Sequence, residues 1–175
     1  MTVISVIVGS TREGRFSEKP AKWILQHLKK REGVDARLLD LRDFPMPFFD
    51  QPATPATPGR PAYKNEVVQT WTAAIVQSDG FVFVTPEYNY GTSAVLKNAI
   101  DWVYPEWNRK VASFVSYGSA LGARRPPAAA RNGDRGPARP DSLVGQHPRR
   151  HPCGLTIRAA MSRRAWWRST RSPGR

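Results

Sequence analysis

Apolar positions along the chain fall into blocks of two different rhythms. Residues 3–8 (VISVIV) are continuously apolar, rich in β-branched side chains and stopped by Gly9, the pattern of a strand buried on both faces. A helical rhythm follows, with Ala21, Ile24, Leu25 and Leu28 on one face. Ser17 is placed to cap it, Glu18 suits its positive end, and Pro20 is tolerated in its first turn. Lys29, Lys30 and Arg31 suit its negative end, and Gly33 stops it.

The same alternation continues. Residues 36–41 (ARLLDL) predict a second strand, and a long proline-rich loop leads to a helix over 62–78, with Pro61 suited to its first position and Val67, Trp71 and Ile75 stacked four apart. Residues 80–85 (GFVFVT) predict a third strand, 93–104 a third helix ended by Pro105, and 111–118 a fourth strand. Strands alternating with helices imply a parallel sheet covered on both faces. Ligands in such sheets lie outside the carboxyl ends of the strands.

Charge divides the chain in two. Residues 1–122 hold 14 Lys and Arg against 12 Asp and Glu, whereas residues 123–175 hold 13 against 2, so the basicity of the whole belongs to the tail. The single cysteine, Cys153, precludes a disulfide within the chain. Apolar runs all fall short of the roughly 18–20 residues of a membrane helix. The first apolar run has no basic stretch before it, so it reads as a strand rather than a signal peptide, and a cytoplasmic location is expected.

Two of the strand ends carry unusual residues. GSTREGRFS follows the first strand; its amides, the hydroxyls of Ser10, Thr11 and Ser17, and the Arg12 guanidinium suit a phosphate, although the same loop also reads as a plain polar turn with a helix cap. It lacks the Gly-Lys-Ser/Thr of a Walker loop, and the chain has no G-x-G-x-x-G. TPEYNYGTSAVLKNAIDW follows the third strand; Pro86 and Gly91 bracket two tyrosines and an asparagine, where a planar ring with a polar edge could lie, or where the tyrosines simply cover the sheet edge.

These two motifs, with FVSYGSALG after the fourth strand, resemble the NADPH-dependent FMN reductase family over residues 1–122. The resemblance implies a flavodoxin-like α/β fold, a doubly wound parallel sheet in three layers, binding FMN without covalent attachment. It implies that Ser10, Arg12 and Ser17 hold the FMN phosphate with Arg15 as helper. Pro86, Glu87, Tyr88 and Asn89 would line the isoalloxazine, and Ser116, Tyr117 and Gly118 would close its other side. Hydride from NADPH or NADH would reach the flavin and then a small acceptor: a flavin, quinone, azo compound or metal ion. No general base is needed, so His27 is expected in solvent, and Glu87 and Asp101 are assigned to loop and helix hydrogen bonding. Homodimers or tetramers, formed partly through the third helix, are also implied. A non-enzymatic flavin-binding or electron-transfer module is the alternative, and an inactive truncated product with a nonspecific basic tail a third.

After the fourth strand the family continues with a glycine turn, a helix and a fifth strand, and here the chain departs from it. Arg, Ala, Pro and Gly dominate residues 123–175, which contain no Lys, Glu, Phe or Tyr. Those four abundant types have GC-rich codons, as a gene translated in a shifted frame from about Ala123 would produce. A nucleic-acid arm and a disordered basic tail are the competing readings; no zinc-finger, heptad or RNA-binding signature supports specific nucleic-acid readout. A short basic helix over 156–169 is a weaker variant. Loss of the regular ending would leave Val111, Phe114 and Val115 on an uncovered edge strand.

Overall fold

The computed structural model describes residues 1–118 and the backbone of a strand at 155–160. The elements are β1 (Thr2–Val8), α1 (Glu18–Lys29), β2 (Val34–Asp40), α2 (Glu66–Val76), β3 (Gly80–Pro86), α3 (Ala94–Asp101), a 3-10 turn (Pro105–Trp107), β4 (Val111–Tyr117) and β5 (Leu155–Ala160). They form one sheet of order β2-β1-β3-β4-β5. The first four strands are parallel, as the βαβ alternation requires, and the fold is the flavodoxin-like α/β arrangement.

Side chains leave each central strand alternately to two cores. Ile7, Phe81, Phe83 and Phe114 meet Trp71 and Ile75 of α2 and Leu96, Ala99 and Ile100 of α3. Val6, Val8, Val84 and Val115 meet Ala21 and Ile24 of α1 on the opposite face. Burial on both faces explains the unbroken apolar runs of β1 and β3.

Several boundaries differ from the sequence expectation. The second helix begins at Glu66, because Asn65 supplies the cap by accepting from Val68 N–H at 3.1 Å; Pro61 therefore lies outside it. The third begins after Ser93, whose hydroxyl accepts from Leu96 N–H, and ends at Asp101, with three residues between it and the 3-10 turn that starts at Pro105. Ser17 precedes α1 but has a helical backbone and makes no side-chain cap. The first helix ends at Lys29, with Lys30 as its right-handed cap; Gly33, expected to stop it, instead adopts φ +74° in the turn that leads into β2.

The largest difference is at the edge. β5 pairs antiparallel with β4, Ala112 opposite Ala160 and Tyr117 opposite Leu155, so β4 is not the uncovered edge expected. Residues 156–160 are likewise strand rather than helix, in keeping with the β-branched Thr156 and Ile157. Residues 119–154 and 161–175, including Cys153, His147, His151 and most of the basic tail, lie outside the described residues. Among the described residues no helix is long and apolar enough to cross a membrane.

Candidate functional site

Three chain segments meet at the carboxyl end of the sheet. The first is the loop from Ser10 to Ser17, between β1 and α1. Gly9 allows it to start there: its amide donates to Val84 O at 2.8 Å, and its carbonyl accepts from the buried Ser93 hydroxyl at 2.5 Å. The cap residue of α3 thus ties the β1 end to the β3 end.

The second segment is the turn after β3. Tyr88 and Gly91 exchange both backbone hydrogen bonds at 2.9 Å, and Asn89 and Tyr90 between them have φ of 48° and 66°. Two consecutive positive-φ residues make this a primed turn; an asparagine tolerates that conformation, whereas a tyrosine is strained in it. Pro86 is buried, and Thr85 shares a 2.6 Å hydroxyl contact with Thr92 that closes the base of the turn. The third segment is the end of β4. Glu87 N–H donates to Tyr117 O at 2.8 Å, so Ser116, Tyr117 and Gly118 run alongside Pro86 and Glu87. A Cβ on Gly118 would stand 3.1 Å from Glu87 Cβ, which shows how closely the two backbones approach.

The first two segments touch. Arg12 Nη1 donates to the Tyr88 hydroxyl at 3.2 Å, with the guanidinium carbon 6.0 Å from the ring centre. Phe16 packs on Tyr117 at 5.0 Å between rings. The candidate residues Ser10, Arg12, Ser17, Pro86 to Asn89 and Ser116 to Gly118 therefore lie on adjoining segments of one crest.

Two buried side-chain oxygens among the described residues make no hydrogen bond, Ser17 Oγ and Glu87 Oε2. Ser17 Oγ lies beside the Tyr117 hydroxyl but falls short of a well-formed hydrogen bond with it. Burial, helped by the neighbouring Tyr88, raises the pKa of that phenol above its ordinary value, with Ser17 and Arg12 pulling the other way. Leaving such atoms unpaired costs about 1–3 kcal/mol each, so their placement at a ligand site has a physical rationale. Glu87 accordingly does not spend this oxygen on the loop hydrogen bonding expected of it. Asp101 does have a helical partner, Lys97, four residues before it, and His27 is exposed, its ring tilted against that of Trp23 with 4.2 Å between ring centres.

Arg15 is held differently from Arg12. Its side chain is 4% exposed, and it donates to both oxygens of Asp40, to Glu18 Oε1 at 3.1 Å and to Ser10 O at 2.5 Å. Its hydrogen bonds to Asp40 outweigh burial and raise its pKa further. Burial pushes Asp40 up, but the bonds from Arg15 and from Arg42 N–H outweigh it and leave the carboxyl below its ordinary value. Arg42 also donates to Thr11 O at 3.3 Å and to Arg12 O at 2.5 Å.

Asp40 and Arg42 were missed by sequence reasoning; the available signal was their position where β2 ends, on the ligand side of the sheet. Two concavities flank them: one of about 290 Å³ lined by Arg15, Glu18, Asp40 and Arg42, and one of about 400 Å³ lined by Thr11, Phe44, Met46, Phe48 and Val95. The first lies against the end of β2, and the second is closed on its far side by Val95 and Asn98 of α3.

The pattern of one family, described as NADPH-dependent FMN reductase, matches residues 2–133. This chain belongs to the NADPH-dependent FMN reductase family. It is 43% identical over 115 residues to an NAD(P)H-dependent FMN reductase of Schizosaccharomyces pombe, covering 66% of this chain and 57% of that protein. It is 37% identical over 127 residues to one from Nectria, covering 71% and 63%. The chain thus spans about three fifths of the length of these family members. FerB of Paracoccus denitrificans, a flavoenzyme NAD(P)H:acceptor oxidoreductase, shares the fold with a TM-score of 0.57 at 23% identity, over 97% of this chain and 91% of FerB.

Proposed function

We propose that this chain is an FMN-dependent NAD(P)H oxidoreductase acting on a small electron acceptor. The observation that carries this reading is the location of the two unpartnered buried oxygens. Ser17 Oγ and Glu87 Oε2 stand on separate turns that the Arg12–Tyr88 contact brings together. A hydroxyl beside a helix start suits a phosphate oxygen, and a carboxylate oxygen suits an N–H on the edge of a planar ring. FMN carries both groups in one molecule, so the residues present fit it.

In this proposal Ser10, Arg12 and Ser17 receive the phosphate, while Arg15 supports the loop from the β2 side. Pro86, Glu87, Tyr88 and Asn89 line the ring, and Ser116, Tyr117 and Gly118 close it. FMN, when bound, supplies the hydride-accepting chemistry. The chain's own work is to orient the ring, keep the Tyr117 phenol protonated beside it and place a cation at the phosphate. NADPH or NADH is the donor, and a flavin, quinone, azo compound or metal ion the acceptor. A homodimer or tetramer, a cytoplasmic location where the nicotinamide pool is at hand, and no specific nucleic-acid or membrane partner complete the reading.

The test is to purify the full chain, measure its bound flavin and follow NADPH oxidation with a quinone acceptor. Stoichiometric FMN with turnover is the expected result. Bound flavin without turnover would favour the electron-transfer module, and colourless protein that takes up no FMN would sink the flavin reading.

For residues 123–175 we propose a shifted reading frame, supported by their composition. Because the family match runs to residue 133, sequencing the gene across codons 122–133 tests it. An inserted or deleted base is expected, and an intact frame overturns the idea.

A further inference from the structure

We propose that Arg42 is a positioning residue for phosphate recognition: with Arg15 it holds three successive carbonyls of the crest loop on the β2 side and turns the intervening amides the other way. The inference deepens the flavin reading and rests on it.

The carbonyl of Ser10 accepts from Arg15, and those of Thr11 and Arg12 accept from Nε and Nη2 of Arg42. A trans peptide places N–H opposite C=O in the same planar unit. Fixing these carbonyls therefore turns the N–H groups of Thr11, Arg12 and Glu13 away from the two arginines. Strand order decides which side that is. The arginine network is anchored at the end of β2, β1 lies between β2 and β3, and Tyr88 follows β3, so the amides are directed away from β2.

The charges beneath the loop pair with one another. Glu18 Oε1 accepts from Arg15 Nε at 3.1 Å and from Arg42 Nη1 at 3.4 Å, while Asp40 takes Arg15 by both oxygens and Arg42 by its backbone N–H at 3.0 Å. The exposed Lys22 also reaches Glu18 Oε2 at 3.7 Å, so both carboxylates and both guanidinium groups are engaged with one another within this network. What they supply to the loop is orientation. Arg12, by contrast, donates to a neutral hydroxyl.

FMN and riboflavin differ only by the phosphate, so the ratio of their dissociation constants on the full chain, measured by flavin fluorescence, reads the loop alone. Arg42→Ala is expected to lower that preference for FMN about tenfold, the value of one or more misdirected charge-assisted bonds, with riboflavin unchanged. Arg42→Lys keeps the charge beside Glu18 but lacks the planar fork that reaches two carbonyls, so it should leave the preference low; it also carries the test should the alanine variant unfold. Full recovery with lysine would assign the effect to charge and overturn the proposal. An unchanged preference in both variants, or parallel loss of both flavins, would overturn it too. An unaltered chain that binds neither flavin removes the flavin reading and this inference together, an outcome distinct from the others because those all require bound flavin.

Discussion

Arg12 Nη1 donates to the Tyr88 hydroxyl at 3.2 Å across 76 residues of sequence. The contact joins the loop after β1 to the turn after β3, and it holds an exposed cation over the crest. Because the acceptor is neutral, the guanidinium keeps its charge and its remaining donors for a ligand.

Arg12→Ala is therefore expected to weaken FMN binding by about tenfold to a hundredfold, the range for a hydrogen-bonded charge. Tyr88→Phe keeps the ring and removes only an exposed hydroxyl, so a loss of about threefold or less is expected. Fluorescence titration checks both; equal losses would mean that the contact, rather than the cation, does the binding.

Asp40 makes the fold sensitive to acid. A carboxyl whose folded pKa is depressed contributes stability that is full above its ordinary value, about 3.9, and that fades as pH falls toward the depressed value. Asp40→Asn should cost about 2 kcal/mol or more near neutrality, since Arg15 stays buried without its main counter-charge. It should also flatten the fall of Tm between about pH 5 and pH 2. Thermal unfolding of both proteins across that range decides the matter, and parallel curves would dismiss Asp40 as the source.

Gly9→Ala tests the tie between the strand ends. An added Cβ would meet Leu96 Cδ2 at 2.9 Å and Val84 O at 3.0 Å, and while the leucine can move, the strand backbone cannot. Overpacking of this kind costs about 1–3 kcal/mol, and because Gly9 O is the acceptor of Ser93, the crest should loosen with it. A lowered Tm accompanied by weaker FMN binding is expected; unaltered values for both would show that the approach is not tight.

Much of this arrangement is local in origin and could be read along the chain. Buried runs such as residues 3–8 and 80–85, the Ala21–Ile24–Leu28 face and the placement of both motifs after strands follow from periodicity, which acts within a turn of helix or between alternate strand residues. Helix starts were less legible, because Asn65 caps α2 only when its side chain meets Val68 N–H, a geometry that competing turns in the proline-rich loop conceal.

Contacts between distant residues required the fold. Arg15 stands in a phosphate-like motif, yet its guanidinium is taken up by Asp40, twenty-five positions on, because β2 lies beside β1 and delivers a carboxylate beneath the loop. Arg42 reaches the loop carbonyls for the same reason, and Glu87 keeps an unpaired oxygen because Gly118 brings β4 against it. The pairing of β5 with β4 likewise joins segments about forty residues apart. Propensity and spacing decide which residues form strands and crests; strand order, which depends on how the whole chain buries its apolar faces, decides which charges meet there.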